Sequence, residues 1–219
     1  MNYNDEFNMT QEQNIFFAKR NIVDYIWKSA NMEGIAVTFP ETQTIYDGGN
    51  VSKLRVDEIV TINNLKHAWQ YILATIEDEI NFNYLSSIHA LVGSNLVESP
   101  GNLRVYETAM GGTSWKPEIP SKEKVEKILN ENNGESVTEN AITLMLKLMK
   151  AQAFNDGNKR TAMLIANHEM IKNGKGVISI AQENKTEFGE KLIKYYETDK
   201  IEDVKQFIYD KCIYGIELQ

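Results

Sequence analysis

What the chain lacks narrows it first. Its 219 residues contain one cysteine, Cys212. No intramolecular disulfide can form, which fits a reducing compartment, so a cytoplasmic location is expected. Three histidines, dispersed at 67, 89 and 168, and one thiol do not make a metal cluster. No apolar run approaches membrane-spanning length. The opening MNYNDEFNMT is polar and acidic, without the basic and apolar regions of a signal peptide. Cations are in deficit, 23 Lys and Arg against 31 Asp and Glu, for a net charge of −8. A generic nucleic-acid binder has the opposite balance. There is no internal repeat, no low-complexity tract, no convincing linker and no Walker loop.

What is present suits one compact unit, with 42% hydrophobic and 25% charged residues. Thr10 and Gln13 form a capping-box pattern ahead of Ile15, Ile22, Val23 and Ile26, which recur at helical spacing, and Gly34 stops the run. Residues 35–53 read as loop and short extended pieces, with Pro40 and an Asp47-Gly48-Gly49 turn. Helices are expected at 54–76, 84–92 and 121–130. Another runs from the Ser136/Glu139 capping box to Gln152, and another spans 161–173 before Gly174. Two more follow at 184–197 and 201–213. "SPGN" (99–102) is a breaker. Residues 103–120, with Gly111-Gly112 at the centre, read as a β-hairpin, and "VISI" (177–180) as a short strand. Met145, Met149, Met163 and Met170 are core positions by periodicity. The class is mostly α with a small hairpin.

The stretch "QAFNDGNKRTAM" (152–163) lies in the crease between two apolar helices. Gly157 permits a tight turn and close approach of a ligand to the backbone. The helix that follows presents free N–H groups and a positive dipole end, a ready anion site. Lys159 adds a point charge and Arg160 a bidentate fork. Asp156 supplies the lone carboxylate that a phosphate-bound Mg²⁺ takes as its protein ligand. The same residues also suit an ordinary polar corner between two helices.

"F-N-D-G-N-K-R-T-A" resembles the signature of the Fic/Doc (Fido) family, H-x-F-x-[DE]-G-N-[GK]-R. "SPGNLR" with "GGTSWKPEIP" resembles the family's target-docking flap, "LSSIHALV" the helix before it, and "SANMEG" (29–34) its inhibitory pattern [ST]-x-x-x-E-[GN]. The resemblance runs from 29 to about 198. It implies a Fic-type helical bundle with a small β-hairpin flap. That bundle would be a single domain over 1–219, made of an N-terminal helix at 10–34, a core at about 54–198 and a C-terminal helix at 199–219. The implied reaction moves AMP from ATP, with Mg²⁺, to a hydroxyl of a target protein.

By position, the resemblance implies that Phe154 anchors the loop and Asp156 holds Mg²⁺. Gly157 and Asn158 would form the anion cradle, and Lys159 and Arg160 would contact phosphates. Ser29, Glu33 and Gly34 would form the inhibitory motif. Tyr106, Thr108, Thr113 and Trp115 would belong to a flap that grips the target by strand addition. Trp115 is equally suited to anchoring a target or to pinning the hairpin. The implied partners are ATP and an unidentified target protein; nucleic acid and membrane are not expected, and a homo-oligomer remains open.

Three positions depart from the pattern. Gln152 stands where the family has the histidine that takes the proton of the attacking hydroxyl, and an amide cannot accept a proton near neutral pH. Lys159 makes "GNKR" resemble the Doc branch, which transfers a phosphate. Met163 replaces the second arginine that would pair with Glu33, so Arg160 or Lys159 must take that role. Three readings follow: an impaired adenylylating enzyme, a Doc-like phosphotransferase, or a non-catalytic ATP-binding interaction module. His168, sixteen residues after Gln152, is the candidate for a displaced base; its alternative, and that of His89, is packing within a helix. His67 reads as a helix-face residue.

Overall fold

The computed structural model describes residues 2–217. Nine α-helices are present among them: α1 (Gln11–Met32), α2 (Phe39–Tyr46), α3 (Val56–Ala74), α4 (Phe82–Val92), α5 (Lys122–Leu129), α6 (Val137–Ala151), α7 (Asn158–Lys172), α8 (Lys185–Thr198) and α9 (Glu202–Lys211), with one 3-10 turn at Gln182–Asn184. Two short strands, β1 (Val177–Ile178) and β2 (Ile213–Tyr214), pair antiparallel, with Val177 opposite Tyr214 and Ile178 opposite Ile213. None of these helices is long and apolar enough to cross a membrane.

The centre of the molecule is α7. Ala162, Leu164, Ile165, Ala166, Met170 and Ile171 bury several sides of this helix, not one stripe, as a helix surrounded by others requires. α6 lies antiparallel beside it, with α1, α3 and α4 around it. Two buried amides of this core are fully engaged. Asn167 donates to the Ile178 carbonyl (2.8 Å) and accepts from the Ile178 N–H (2.7 Å). Asn14 brackets Gly176 in the same way, at 3.2 and 2.7 Å. These two amides supply backbone partners beside the two-residue ladder that β1 forms with β2. Cys212 is fully buried, and burial pushes its thiol up to about 12, so it is inert.

The Thr10/Gln13 capping box forms as expected, with bonds of 3.2 and 2.7 Å. Three expectations need correction. Residues 39–46 are a helix, not loop. Thr38 and Glu41 make a second capping box (3.4 and 2.8 Å), and Pro40 sits in the first turn, where no N–H is needed. α7 begins at Asn158, three residues earlier than the periodicity gives, because its first turn is polar. Residues 103–120 turn at Gly111-Gly112 but form no strand ladder. The small sheet comes instead from 177–178 and the segment after α9.

Residues before α1 close the far end of the bundle. Asp5 Oδ1 accepts from the N–H (2.9 Å) and hydroxyl (2.8 Å) of Thr138, capping α6 alongside Ser136. The Met9 N–H reaches the Gly174 carbonyl at 2.9 Å. Gly174 has φ +72°, and a Cβ there would lie 1.8 Å from the Met9 carbonyl oxygen. Gly174→Ala should therefore cost more than about 1 kcal/mol, with residues 2–9 losing hydrogen-exchange protection first. Denaturant unfolding with exchange mass spectrometry checks this.

His168 belongs to this core. It is fully buried, its Nε2 lies 3.2 Å from the Thr75 carbonyl, and Tyr84 meets it edge-on at 5.0 Å. Burial holds its imidazole below the ordinary value of 6.5, and Lys172 acts in the same sense; Thr75, Asp78 and Glu77 oppose them. The unfolded chain thus binds the proton that the folded chain refuses. The stability this histidine contributes is complete above about pH 6.5 and is lost as pH falls, by up to about 1.4 kcal/mol per unit. Urea titrations from pH 7.5 to 5 should show that decline, and it should be shallower in His168→Gln.

Candidate active site

The chain leaves α6 at Gln152 in a left-handed conformation, φ 43° and ψ 51°, and enters α7 through Gly157 at φ +79°. One side chain closes the turn between them. Asn158 Oδ1 accepts the Phe154 N–H at 2.9 Å, while its Nδ2 donates to the Phe154 carbonyl (2.8 Å) and to Gln152 Oε1 (3.2 Å). Gln152 Nε2 donates to the Met149 carbonyl at 2.6 Å, so the amide is spent at both ends and buried. Phe154 is buried and stacked on His89, with ring centres 3.8 Å apart and planes within 7°. It anchors the turn as the resemblance implies.

The first backbone bond of α7 runs from the Thr161 N–H to the Gly157 carbonyl (2.9 Å), so the N–H groups of 157–160 precede its ladder. They adjoin a cleft of about 250 Å³ lined by Glu33, Gln152, Asn155 to Lys159 and the flap residues 108–111. Arg160 is buried to 5% exposure between two carboxylates. Its Nη2 lies 3.1 Å from Asp156 Oδ2, and its Nε lies 3.5 Å from Glu33 Oε2 without making a hydrogen bond. Lys159 Nζ lies 3.7 Å from the other oxygen of Glu33.

Glu33 reaches this point because α1 ends in a Schellman turn. The Ile35 N–H bonds the Ala30 carbonyl (3.1 Å), and the Gly34 N–H bonds Asn31 (3.0 Å), with Gly34 at φ +85°. Ser29, one turn earlier, is buried and shares a small crevice with Arg160 and Met163. Arg160 and Lys159 are the cations beside Glu33, and Met163 lies in the crevice with Arg160.

The four flap residues separate. Thr108 lines the cleft. Tyr106 is exposed. Thr113 donates to Glu197 at 2.5 Å, and Trp115 packs on Tyr196 with ring centres 5.0 Å apart. Trp115 therefore pins the flap to α8. His168 is absent from the cleft's lining and binds the Thr75 carbonyl instead.

Arg104 holds the flap and was not legible as a site residue. Fully buried, it donates to the carbonyls of Gln152 (3.2 Å), Glu118 (2.7 Å) and Tyr106, while its N–H bonds the Ala153 carbonyl (2.9 Å). This is why the two arms need no ladder: a guanidinium ties them together and to the crease. His89 was likewise read as packing alone, yet it bonds both the Asp156 carbonyl (2.7 Å) and the Gly101 N–H (2.8 Å). Burial holds it below the ordinary histidine range, with Arg160 adding to the effect. Asn155 also lines the cleft, and its buried Oδ1 has no partner. Among the described residues there is no cluster of three or more metal-ligating side chains.

Residues 79–170 match the sequence model of the Fic/DOC family. Protein adenylyltransferase fic-1 of Caenorhabditis elegans is 26% identical over 199 residues, 84% of this chain; the chain spans 39% of that relative's length. Among solved structures, a fragment of Fic-1 from C. elegans superposes with a TM-score of 0.77 at 18% identity, covering 88% of this chain and 62% of that one. A Fic family protein from Desulfovibrio desulfuricans G20 gives 0.72 at 17%, covering 91% and 65%. BepC from Bartonella tribocorum, solved with bound AMPPNP, gives 0.54 at 16%, covering 77% and 92%. The fold is that of these solved structures, and the crease between α6 and α7 lies within the segment that matches the Fic/DOC family model.

Proposed function

We propose that this chain binds ATP at the α7 N-terminus, and that its nominal reaction is AMP transfer to a hydroxyl of a target protein, impaired by Gln152. The observation that carries the reading is the opening of that helix onto the cleft, with Lys159 on its lining and the buried Arg160 just behind it, paired to the cleft residues Glu33 and Asp156. Free N–H groups, the helix dipole and two cations together favour a polyphosphate. The similarity to a protein named as an adenylyltransferase supports the choice of reaction, and the AMPPNP bound to BepC supports the choice of nucleotide.

The donor set fits Mg²⁺ carried in by the phosphates. Asp156 is mostly exposed and engages Arg160 through one oxygen, and Mg²⁺ commonly takes one or two carboxylates plus phosphate oxygens. When bound, that ion neutralises phosphate charge. The chain's own residues do the rest: Asn158 fixes the loop, and Arg160 and Lys159 hold phosphate oxygens. The exposed arm at Val105 and Tyr106 would be where the target docks. The missing function is proton removal, because the Gln152 amide is no base. Loss of a general base costs about 10²–10⁴ in rate, roughly 3–5 kcal/mol of barrier. Glu33 acts as an inhibitor by occupying the cations that the phosphates need.

Lys159 favours a second reading, Doc-like phosphotransfer, since it places a cation on the cleft where the adenylylating pattern has glycine. A chain that binds nucleotide but transfers nothing remains the third.

Calorimetric titration with ATP and Mg²⁺ tests the cradle. Arg160→Ala should bind at least tenfold more weakly, about 1.4 kcal/mol, and Glu33→Gly more tightly. Unchanged affinity in Arg160→Ala rejects the cradle. Intact mass after incubation with ATP tests the chemistry. Gln152→His should gain mass where the unaltered protein does not, and the added group, AMP or phosphate, separates the two reactions. A gain by the unaltered protein rejects the impairment.

A further inference from the structure

We infer that His89 is a positioning residue for the anion site: it fixes the peptide unit between Asp156 and Gly157 so that the Gly157 N–H faces the cleft. This deepens the nucleotide-binding reading and rests on it for the identity of the ligand. The geometry itself stands independently.

His89 is fully buried, and its two ring nitrogens have different partners. The Gly101 N–H donates to Nδ1 at 2.8 Å. Nδ1 is therefore the bare acceptor, and the ring proton is on Nε2. Asp156 presents a carbonyl, which accepts that proton at 2.7 Å. The stack on Phe154, at 3.8 Å and within 7° of parallel, blocks rotation of the ring. The imidazole is thus locked in one orientation and one tautomer.

The consequence passes through a planar peptide. The carbonyl of Asp156 and the N–H of Gly157 belong to the same trans unit and point in opposite directions. The carbonyl is drawn inward to a buried ring, so the N–H is turned outward, on the side where Asp156 and Gly157 line the cleft. Gly157 has to be glycine for this to hold. Its φ is +79°, and a Cβ would meet Val92 Cγ1 at 3.0 Å and His89 Nε2 at 3.7 Å. A sharp turn alone would leave this peptide unit free to adopt either orientation. The imidazole selects the one in which a backbone donor serves an anion.

The same ring also reaches the root of the flap. Gly101, held by His89 through its N–H, is held by Ser86 through its carbonyl. Arg104, three residues on, ties both flap arms to the crease. One side chain of α4 thus sets the phosphate turn and the start of the flap in a common frame.

Two variants separate positioning from packing. His89→Phe keeps a ring against Phe154 and loses both hydrogen bonds. His89→Gln keeps one donor and one acceptor. Calorimetry with ATP–Mg²⁺ and with adenosine should show His89→Phe at least tenfold weaker for ATP and unchanged for adenosine, with His89→Gln restoring most of the ATP affinity. Equal losses for both ligands, or no loss for ATP, would overturn the inference. NMR of the nucleotide-free proteins decides the geometry whatever the ligand. The Gly157 amide should be a single sharp resonance in the unaltered protein and in His89→Gln, and shifted or exchange-broadened in His89→Phe. An unchanged Gly157 amide in a folded His89→Phe protein would overturn it. If the unaltered protein binds no nucleotide while the amide behaves as expected, the nucleotide reading fails and the positioning role stands.

Discussion

The Asn158 carboxamide closes the crease from within the turn itself. α6 ends and α7 begins within a few residues, and both helices are buried, so the turn between them has little water to satisfy its backbone. Asn158 meets that demand from inside. Its oxygen takes the Phe154 N–H, and its nitrogen serves the Phe154 carbonyl and Gln152. A buried polar group left unpaired there would cost about 1–3 kcal/mol. With the turn closed from within, the N–H groups of 157–160 are left over on the outer side. The proposed anion site is then a by-product of how the corner satisfies its own hydrogen bonds.

Charge in the cleft follows from the same arrangement. Arg160 projects from the first turn of α7 and is nearly buried, so its guanidinium requires counter-charge. Asp156 and Glu33 provide it from opposite sides, one from the turn and one from the end of α1. Glu33 lies at a helix C-terminus, where a carboxylate is disfavoured by the dipole. Its pairing with Arg160 and Lys159 offsets that cost. On the proposed reading, an incoming phosphate competes with Glu33 for the very cations it needs, so the pairing that steadies the empty cleft also opposes its filling.

Legibility from sequence divided along physical lines. Periodicity and caps located α1, α3, α4, α5, α6, α8 and α9 to within a few residues, because those helices bury one face and expose another. α2 was missed since Pro40 reads as a breaker unless Thr38 and Glu41 are recognised as its cap. The start of α7 was placed late because its first turn, Asn158-Lys159-Arg160, has no apolar member. The hairpin expected at 103–120 had alternation and a Gly-Gly turn, but a pattern cannot reveal that a distant carbonyl set, gathered by Arg104, removes the need for a ladder. Arg104 and His89 share one reason for escaping notice. A buried polar side chain is defined by partners far away in the sequence, and no local pattern encodes them. The 152–160 turn was legible because its parts are contiguous.

On the proposed reading, binding and chemistry separate at Gln152. The cradle consists of backbone donors, a helix end and two cations, none of which depends on what residue 152 is. Proton removal depends on that one side chain alone. Gln152 keeps the structural half of the position: its carbonyl accepts from Arg104, its Oε1 receives the Asn158 amide, and its Nε2 caps the Met149 carbonyl. Its left-handed backbone is strained for a residue other than glycine or asparagine, and these three bonds hold it there. Glutamine at this position is therefore a stable solution for the corner and, on the proposed reading, a poor one for catalysis. A chain can keep the first without the second, since the fold responds to hydrogen bonds at 152 and the reaction to a proton acceptor.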